Sequence, residues 1–301
     1  MPGHPERPLY GRTRELAELL AALTEGGPRT VEVTGFAGVG KTALARAVAL
    51  RAGRDTGWPV HWATGPPPAA TAGGPAPAGR REPPLVVLDD PADRDPAVEA
   101  VAERWPRARI LVTGRAPGGP ADHRLALAPL GPEGPGCTDP AYELMLAAVC
   151  RIDPSVPATA ADAPRIAEIA RLLDDLPRSL EAAAHWFPLA PPAELLAAAR
   201  AQPLLLTEPP WRQGGRPGCV AAAAHAIASL SAPQLRLLSW AARRPLPWKA
   251  ADAQLSRWEA GQAVRELLAR GLVCCAGPDH LRLLTAASAA VSDAGPEFRL
   301  P

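Results

Sequence analysis

Eight consecutive residues constrain this chain more than any others: Gly35-Phe36-Ala37-Gly38-Val39-Gly40-Lys41-Thr42. Glycine, four variable residues, glycine, lysine and threonine in that order form a loop whose backbone N–H groups can turn inward around phosphate oxygens at a helix N-terminus. The flanks supply the strand and the helix that such a loop joins. Thr30-Val31-Glu32-Val33-Thr34 is a short β-branched run, and Ala43-Leu44-Ala45-Arg46-Ala47-Val48-Ala49-Leu50 is rich in helix formers. A plain glycine-rich turn is the competing reading. Composition argues against it, because only two of the 32 basic side chains are lysines, Lys41 and Lys249, and one stands where the pattern demands it. The motif implies that the polyphosphate of ATP or ADP is held here. Lys41 reaches its outer phosphates, and Thr42 offers its hydroxyl to Mg²⁺.

Two further buried-type strands follow. Leu85-Val86-Val87-Leu88 is apolar throughout and ends in Asp89 and Asp90, as a parallel strand covered on both faces requires. An acidic residue at the tip of a strand beside a phosphate loop can hold Mg²⁺ through water, and the next one can orient or deprotonate an attacking water. We therefore expect Asp89 to serve the metal and Asp90 the water. Ala108 to Arg115 reads as the next strand, and its end places Arg115 where a cation can sense a terminal phosphate, although an arginine there can also be a plain surface residue. Upstream, Thr13 is expected as an N-cap, with Glu15 in the first turn and Leu16, Leu19, Leu20 and Leu23 on one helical face.

The 301 residues suffice for two or three compact units. With 32 basic and 31 acidic side chains, the net charge of +1 gives no overall field toward nucleic acid or an anionic membrane. The five cysteines are odd in number and show no C-x-x-C spacing, so they read as reduced thiols. Met1 to Pro8 does not resemble a secretory signal, and no apolar run nears the roughly 18 residues of a membrane span. A cytoplasmic protein is expected. The Pro/Gly/Ala segment from Gly65 to Pro84 reads as an irregular or polyproline-like connection after a strand at Pro59 to Thr64. No internal repeat of 20 to 50 residues appears.

The order of these pieces, Gly11-Arg12-x-x-Glu15-Leu16, the phosphate loop, Leu88-Asp89-Asp90 and Val112-Thr113-Gly114-Arg115, resembles the STAND class of signalling ATPases, in particular the NB-ARC family of the actinobacterial regulator type. Leu125 to Leu130 looks like that family's last strand. Ala163 to Leu173 looks like a helix of its small helical domain, and Asp175-Leu176-Pro177-Arg178-Ser179-Leu180 resembles its Gly-Leu-Pro-Leu-Ala-Leu stretch. Leu230 to Leu238, Ala263 to Val273 and Leu281 to Leu284 look like the helices and wing of its winged-helix domain.

The resemblance implies an α/β fold: a P-loop NTPase parallel sheet flanked by helices over residues 1–128, a helical domain at 129–200 and a winged-helix-like domain at 201–301. It assigns nucleotide binding to Arg12, Gly35, Gly38, Val39, Gly40, Lys41, Thr42, Ala43 and Pro177, Mg²⁺ to Thr42 and Asp89, and catalysis to Asp90, Lys41 and Arg115. The implied function is an ATP/ADP switch with slow hydrolysis, a protein partner for signal input or output, and nucleotide-dependent oligomerisation. Three departures stand out. Asp175 replaces the family's glycine, the insert before Leu85 is short, and Leu284 occupies the place of a histidine, with His280 four residues earlier. A degenerate ADP-binding scaffold without turnover, and a DNA-binding regulator using Arg236, Arg243, Arg244 and Lys249, therefore stay open as alternatives. A metabolic kinase is a weaker one, since no second catalytic constellation follows Arg115.

Overall fold

The computed structural model describes residues 8–23, 27–64, 84–91, 94–118, 121–131, 138–155, 161–212, 218–242, 246–247, 255–275 and 280–293. The proline-rich stretch at 65–83 and the basic residues Arg243, Arg244 and Lys249 lie outside them. Contacts divide the chain into two compact units. One comprises Met1–Thr34 and Lys41–Leu125; the other comprises Gly35–Gly40 and Ala126–Pro301.

In the first unit, α1 (Thr13–Ala22), β1 (Thr30–Thr34), α2 (Lys41–Thr56), β2 (Val60–Thr64), β3 (Leu85–Asp89), α3 (Arg94–Arg104), β4 (Arg109–Gly114) and β5 (His123–Ala126) follow in order. The strands form one sheet in the order β2-β3-β4-β1-β5, and β1 with β4, β3 with β4, and β2 with β3 pair in parallel. β1 is buried at every position, as is β3 up to Leu88; β3 accordingly reads as a continuous apolar run, while β1 buries Thr30, Glu32 and Thr34 between its valines. Val86, Leu88, Ile110 and Val112 pack with Ala97 and Val101 of α3. Strand alternation then turns Leu85, Val87, Asp89, Leu111 and Thr113 to the other face, and α2 packs on β3 and β4. The expected strands at 30–34, 59–64, 85–89 and 108–115 are present within a residue of their predicted ends.

Two details differ from expectation. Thr13 is not the N-cap of α1; Arg12 holds that position, and its carbonyl accepts the first helical bond from the Leu16 N–H at 2.9 Å. The last strand spans His123–Ala126 instead of 125–130. Pro129 has no N–H for a ladder, and the Leu130 N–H is committed to the Asp175 carbonyl at 3.0 Å.

The second unit holds α4 (Pro140–Ile152), α5 (Ala163–Leu172), α6 (Pro177–Ala184) and α7 (Pro192–Ala201), which share a core of Leu130, Met145, Ile166, Ile169, Leu180 and Leu195. Asp139 caps α4 by accepting from the Ala141 N–H at 3.0 Å, and Pro140, which has no N–H to lose, opens the helix. Next come α8 (Gly218–Ala228), α9 (Ala232–Ala241), β6 (Leu246–Pro247), α10 (Arg257–Ala269), β7 (Val273–Cys275), β8 (His280–Leu283) and α11 (Thr285–Asp293). A three-stranded antiparallel sheet runs β6-β8-β7, while α9 packs on α10 and α8 on α11. Ser256 and Glu259 form a reciprocal capping box that starts α10. Among the described residues no helix is long and apolar enough to cross a membrane.

Candidate functional site

Lys41 and Thr42 open α2. Lys41 is buried, and that burial lowers its ammonium from 10.5 to about 8; nearby Asp90 and Asp89 act the other way, and Arg115 reinforces the lowering. A desolvated ammonium at a helix N-terminus gains most from an anion brought to it. The Thr42 hydroxyl donates to Asp89 Oδ1 at 2.8 Å, and the Thr113 hydroxyl donates to the same oxygen at 2.7 Å. Because Thr42 gives its proton to Asp89, its lone pairs remain as acceptors for a cation.

Asp90 follows with φ +50°, a left-handed conformation that aspartate tolerates better than most residues. Its N–H donates to the Thr113 hydroxyl at 3.0 Å and lies 3.2 Å from the Thr113 carbonyl. Its carboxylate is ion-paired with Arg115, whose Nη2 and Nε lie 3.1 and 3.2 Å from Oδ2. The structure thus brings together Lys41, Thr42, Asp89, Asp90 and Arg115 from three separate stretches of sequence. Arg12 is also buried, with Nη1 on Glu15 Oε1 at 2.8 Å. Ala43 is exposed in the first turn of α2.

In the second unit, Gly35, Gly38 and Gly40 have φ of +146°, +87° and +104°. At two of them a side chain has no room: a Cβ on Gly35 would lie 2.6 Å from the Leu127 carbonyl oxygen, and one on Gly38 would lie 2.7 Å from Arg178 Cβ. Val39 is fully buried, and its N–H donates to the Phe36 carbonyl at 3.3 Å. The Arg178 N–H donates to the Gly38 carbonyl at 3.2 Å, and the Pro177 ring is the atom group nearest to a Cβ built on Gly40, at 3.8 Å. Gly271, just past α10, lies so close to Phe36 that an added Cβ would meet its backbone nitrogen at 2.5 Å. The loop is therefore touched by the start of α6 and by the end of α10.

These residues fit a nucleoside polyphosphate with Mg²⁺. All three loop glycines have positive φ, the backbone freedom that a phosphate-cradling loop requires, and Lys41 is the next residue in sequence. The metal side consists of one hydroxyl and one carboxylate, which suits an ion that keeps most of its waters. No cluster of three His, Cys, Asp or Glu side chains that could cage a metal occurs among the described residues.

The decisive comparison is with family models: residues 8–271 match that of the AAA ATPase domain. The chain belongs to this family. It is accordingly a nucleotide-binding P-loop ATPase domain, with the parallel sheet and flanking helices described above. No curated protein matches it significantly. Among solved structures, the chain is similar to a Signal Transduction ATPase with Numerous Domains (STAND) protein with a tetratricopeptide repeat sensor from Pyrococcus horikoshii. The identity is 16%, with 98% of this chain covered and a TM-score of 0.36. The chain spans 45% of that protein's length. It is also similar to Cdc6p from Pyrobaculum aerophilum, at 11% identity over 99% of this chain and 96% of that one, with a TM-score of 0.42.

Sequence reasoning did not single out Thr113, Arg178 or Gly271. Thr113 and Arg178 stand inside quoted motifs, each next to or near an assigned residue, but a hydroxyl or a guanidinium in a motif announces no partner. Gly271 carries no signal beyond a glycine after a helix, which ordinarily means only a C-terminal cap. Leu284, which stands in place of the resembling family's histidine, is fully buried, and His280 four residues earlier is exposed on β8.

Proposed function

We propose that this AAA ATPase domain is a regulatory switch of the NB-ARC type, alternating between ADP and ATP states in the cytoplasm and passing its state to a protein partner, with nucleotide-dependent oligomerisation as one output. The functional modules are residues 1–128 for the nucleotide, 129–200 as the helical domain and 201–301 as a winged-helix-like domain. The observation that carries this reading is the packing of the phosphate loop against Pro177, Arg178 and Gly271. What the loop holds is thereby felt by the start of α6 and the end of α10, so a change at the phosphates can bias two arrangements of those segments.

The residues divide the chemistry between them. Lys41 neutralises outer-phosphate charge. Thr42 and Asp89 hold Mg²⁺, which when bound supplies charge neutralisation across the phosphates. Asp90 accepts hydrogen bonding from the attacking water and, in the reaction, its proton. Arg115, which pairs with Asp90 in this structure, transfers its guanidinium to the terminal phosphate and so frees that carboxylate. Arg12 contributes at the adenine end and Pro177 packs on the nucleotide; the backbone of Gly35, Gly38, Val39, Gly40 and Ala43 completes the cradle.

The test is to denature the purified protein, identify the released nucleotide by chromatography, and follow ATP turnover in the native protein beside Lys41→Ala and Asp89→Ala. Co-purified ADP with slow turnover that both variants abolish is the expected outcome. Absence of both nucleotide and nucleotide binding overturns the proposal. A second reading, an ADP-holding scaffold without turnover, is favoured by the Asp90–Arg115 pair, which occupies both side chains with each other; tightly held ADP with no turnover supports it. Of the four residues weighed for DNA binding, Arg236, Arg243, Arg244 and Lys249, Arg236 alone lies among the described residues, and it lies close enough to Glu259 to act on its charge.

A further inference from the structure

We propose that Thr113 is a positioning residue of the hydrolysis site, setting both Asp89 and Asp90 through a single buried hydroxyl, an inference that rests on the ATPase reading above. Thr113 is fully buried near the end of β4 and stands directly across from Asp89 in the β3–β4 ladder. Its hydroxyl has one proton and two lone pairs. The proton goes to Asp89 Oδ1 at 2.7 Å, and a lone pair receives the Asp90 N–H at 3.0 Å. One side chain therefore fixes the carboxylate assigned to the metal and the peptide that carries the carboxylate assigned to the water.

The consequence for Asp89 is directional. Oδ1 already accepts two hydroxyl protons, from Thr42 and Thr113. That leaves Oδ2 as the oxygen with open capacity toward a metal-bound water. For Asp90 the consequence is conformational, because a left-handed aspartate persists only where its surroundings hold it, and here the hydroxyl and carbonyl of Thr113 both lie within reach of its N–H. Hydroxyl groups are common at buried strand ends, and satisfying one backbone N–H would be ordinary. Bridging the two acidic residues at the tip of the neighbouring strand is what a structural role alone does not explain.

Thr113→Val keeps the β-branched shape and removes the hydroxyl; Thr113→Ser restores it; Thr113→Ala gives a second hydroxyl-free variant should valine fail to fold. In the full chain, three quantities are compared: ADP affinity without Mg²⁺, the Mg²⁺ concentration for half-maximal ATP turnover, and kcat beside KM. Outer-shell partners of metal ligands typically govern about 10- to 100-fold in metal affinity or activity. The valine and alanine variants are therefore expected to need about tenfold more Mg²⁺ and to lose about tenfold or more in kcat. Metal-free ADP affinity should stay within about twofold, and serine should recover most of the loss. Unchanged Mg²⁺ dependence in both hydroxyl-free variants overturns the proposal, as does a serine variant as impaired as valine. A wild-type protein that binds nucleotide without turning it over still tests the idea through the Mg²⁺ dependence of ADP binding. A wild type that binds no nucleotide overturns the ATPase reading and this one with it.

Discussion

Asp175 supplies the sharpest prediction. It has φ +53°, in the left-handed region that favours glycine, and it follows Asp174 at φ +60°. Its Oδ1 is buried without a hydrogen-bond partner. Burial, with the Asp139 and Asp174 carboxylates adding repulsion and Arg282 and Arg171 opposing it, raises its carboxyl from 3.8 to about 6. Such a rise corresponds to about 3 kcal/mol of preference for the neutral form; screening on the exposed part of the side chain reduces this to about 1–2 kcal/mol. The sign is fixed by which state holds the proton. Between pH 3.8 and about 6 the folded protein binds more protons here than the unfolded chain, so the stability contribution is complete below 3.8 and lost as pH rises through about 6. Asp175→Asn removes the charge, keeps the shape and tolerates positive φ. It should raise unfolding stability by about 1–2 kcal/mol at pH 7.5, and the gain should vanish near pH 4. Urea denaturation of both proteins at pH 7.5, 5.5 and 4 measures this. A variant no more stable at pH 7.5, or one equally stabilised at all three values, refutes the account of why Asp175 is costly.

Three further outcomes follow from the site. With Lys41 lowered to about 8 and phosphate favouring its ammonium, ADP affinity should fall about tenfold between pH 7 and 9, by titration calorimetry; a flat profile, or the same slope in Lys41→Ala, contradicts the assignment. Gly38→Ala forces a Cβ into Arg178 at φ +87° and should cost about 1–3 kcal/mol in chemical denaturation, and a change within about 0.5 kcal/mol would show that the loop reshapes freely. Arg115→Ala breaks a half-exposed ion pair, so stability should move by less than about 1 kcal/mol while ATP turnover drops by about tenfold or more; the reverse pattern would make Arg115 a structural residue.

β3 and β4 were legible because both are buried through most of their length, and such strands write themselves as unbroken apolar runs. The phosphate loop was legible because its glycines answer a backbone demand. Gly35 and Gly38 have no room for a Cβ, and all three loop glycines have positive φ. The end of the last strand was misplaced because apolar Leu127 and Leu130 continue the run while serving other ends. The Leu127 carbonyl closes on Gly35, and Leu130 joins the core of α4 to α7. The pairing of Thr113 with Asp89 and Asp90 was illegible for a different reason: register between strands is a three-dimensional fact, and residues 24 positions apart meet only once β3 and β4 align.

Asp174 shows how such hidden contacts can join parts of the second unit. Its buried carboxylate accepts from the Arg282 guanidinium of β8 and from the Thr285 N–H that opens α11, at 2.6 Å. Four residues later, the Arg178 N–H donates to the Gly38 carbonyl. A segment of five residues, two of them held at positive φ, thus runs from an anchor on the C-terminal sheet to the phosphate loop. Backbone held in sparsely populated conformations at both aspartates is stiff only while its anchors persist. A shift of the loop on nucleotide exchange would therefore act on Asp174 through a short tether, and loosening Asp174 would act back on the loop by the same amount, since coupling of binding free energies is reciprocal. Asp174→Asn should accordingly change ADP affinity even though Asp174 lies outside the assigned nucleotide residues; equal ADP affinities by titration calorimetry in the variant and the wild type would cut that link.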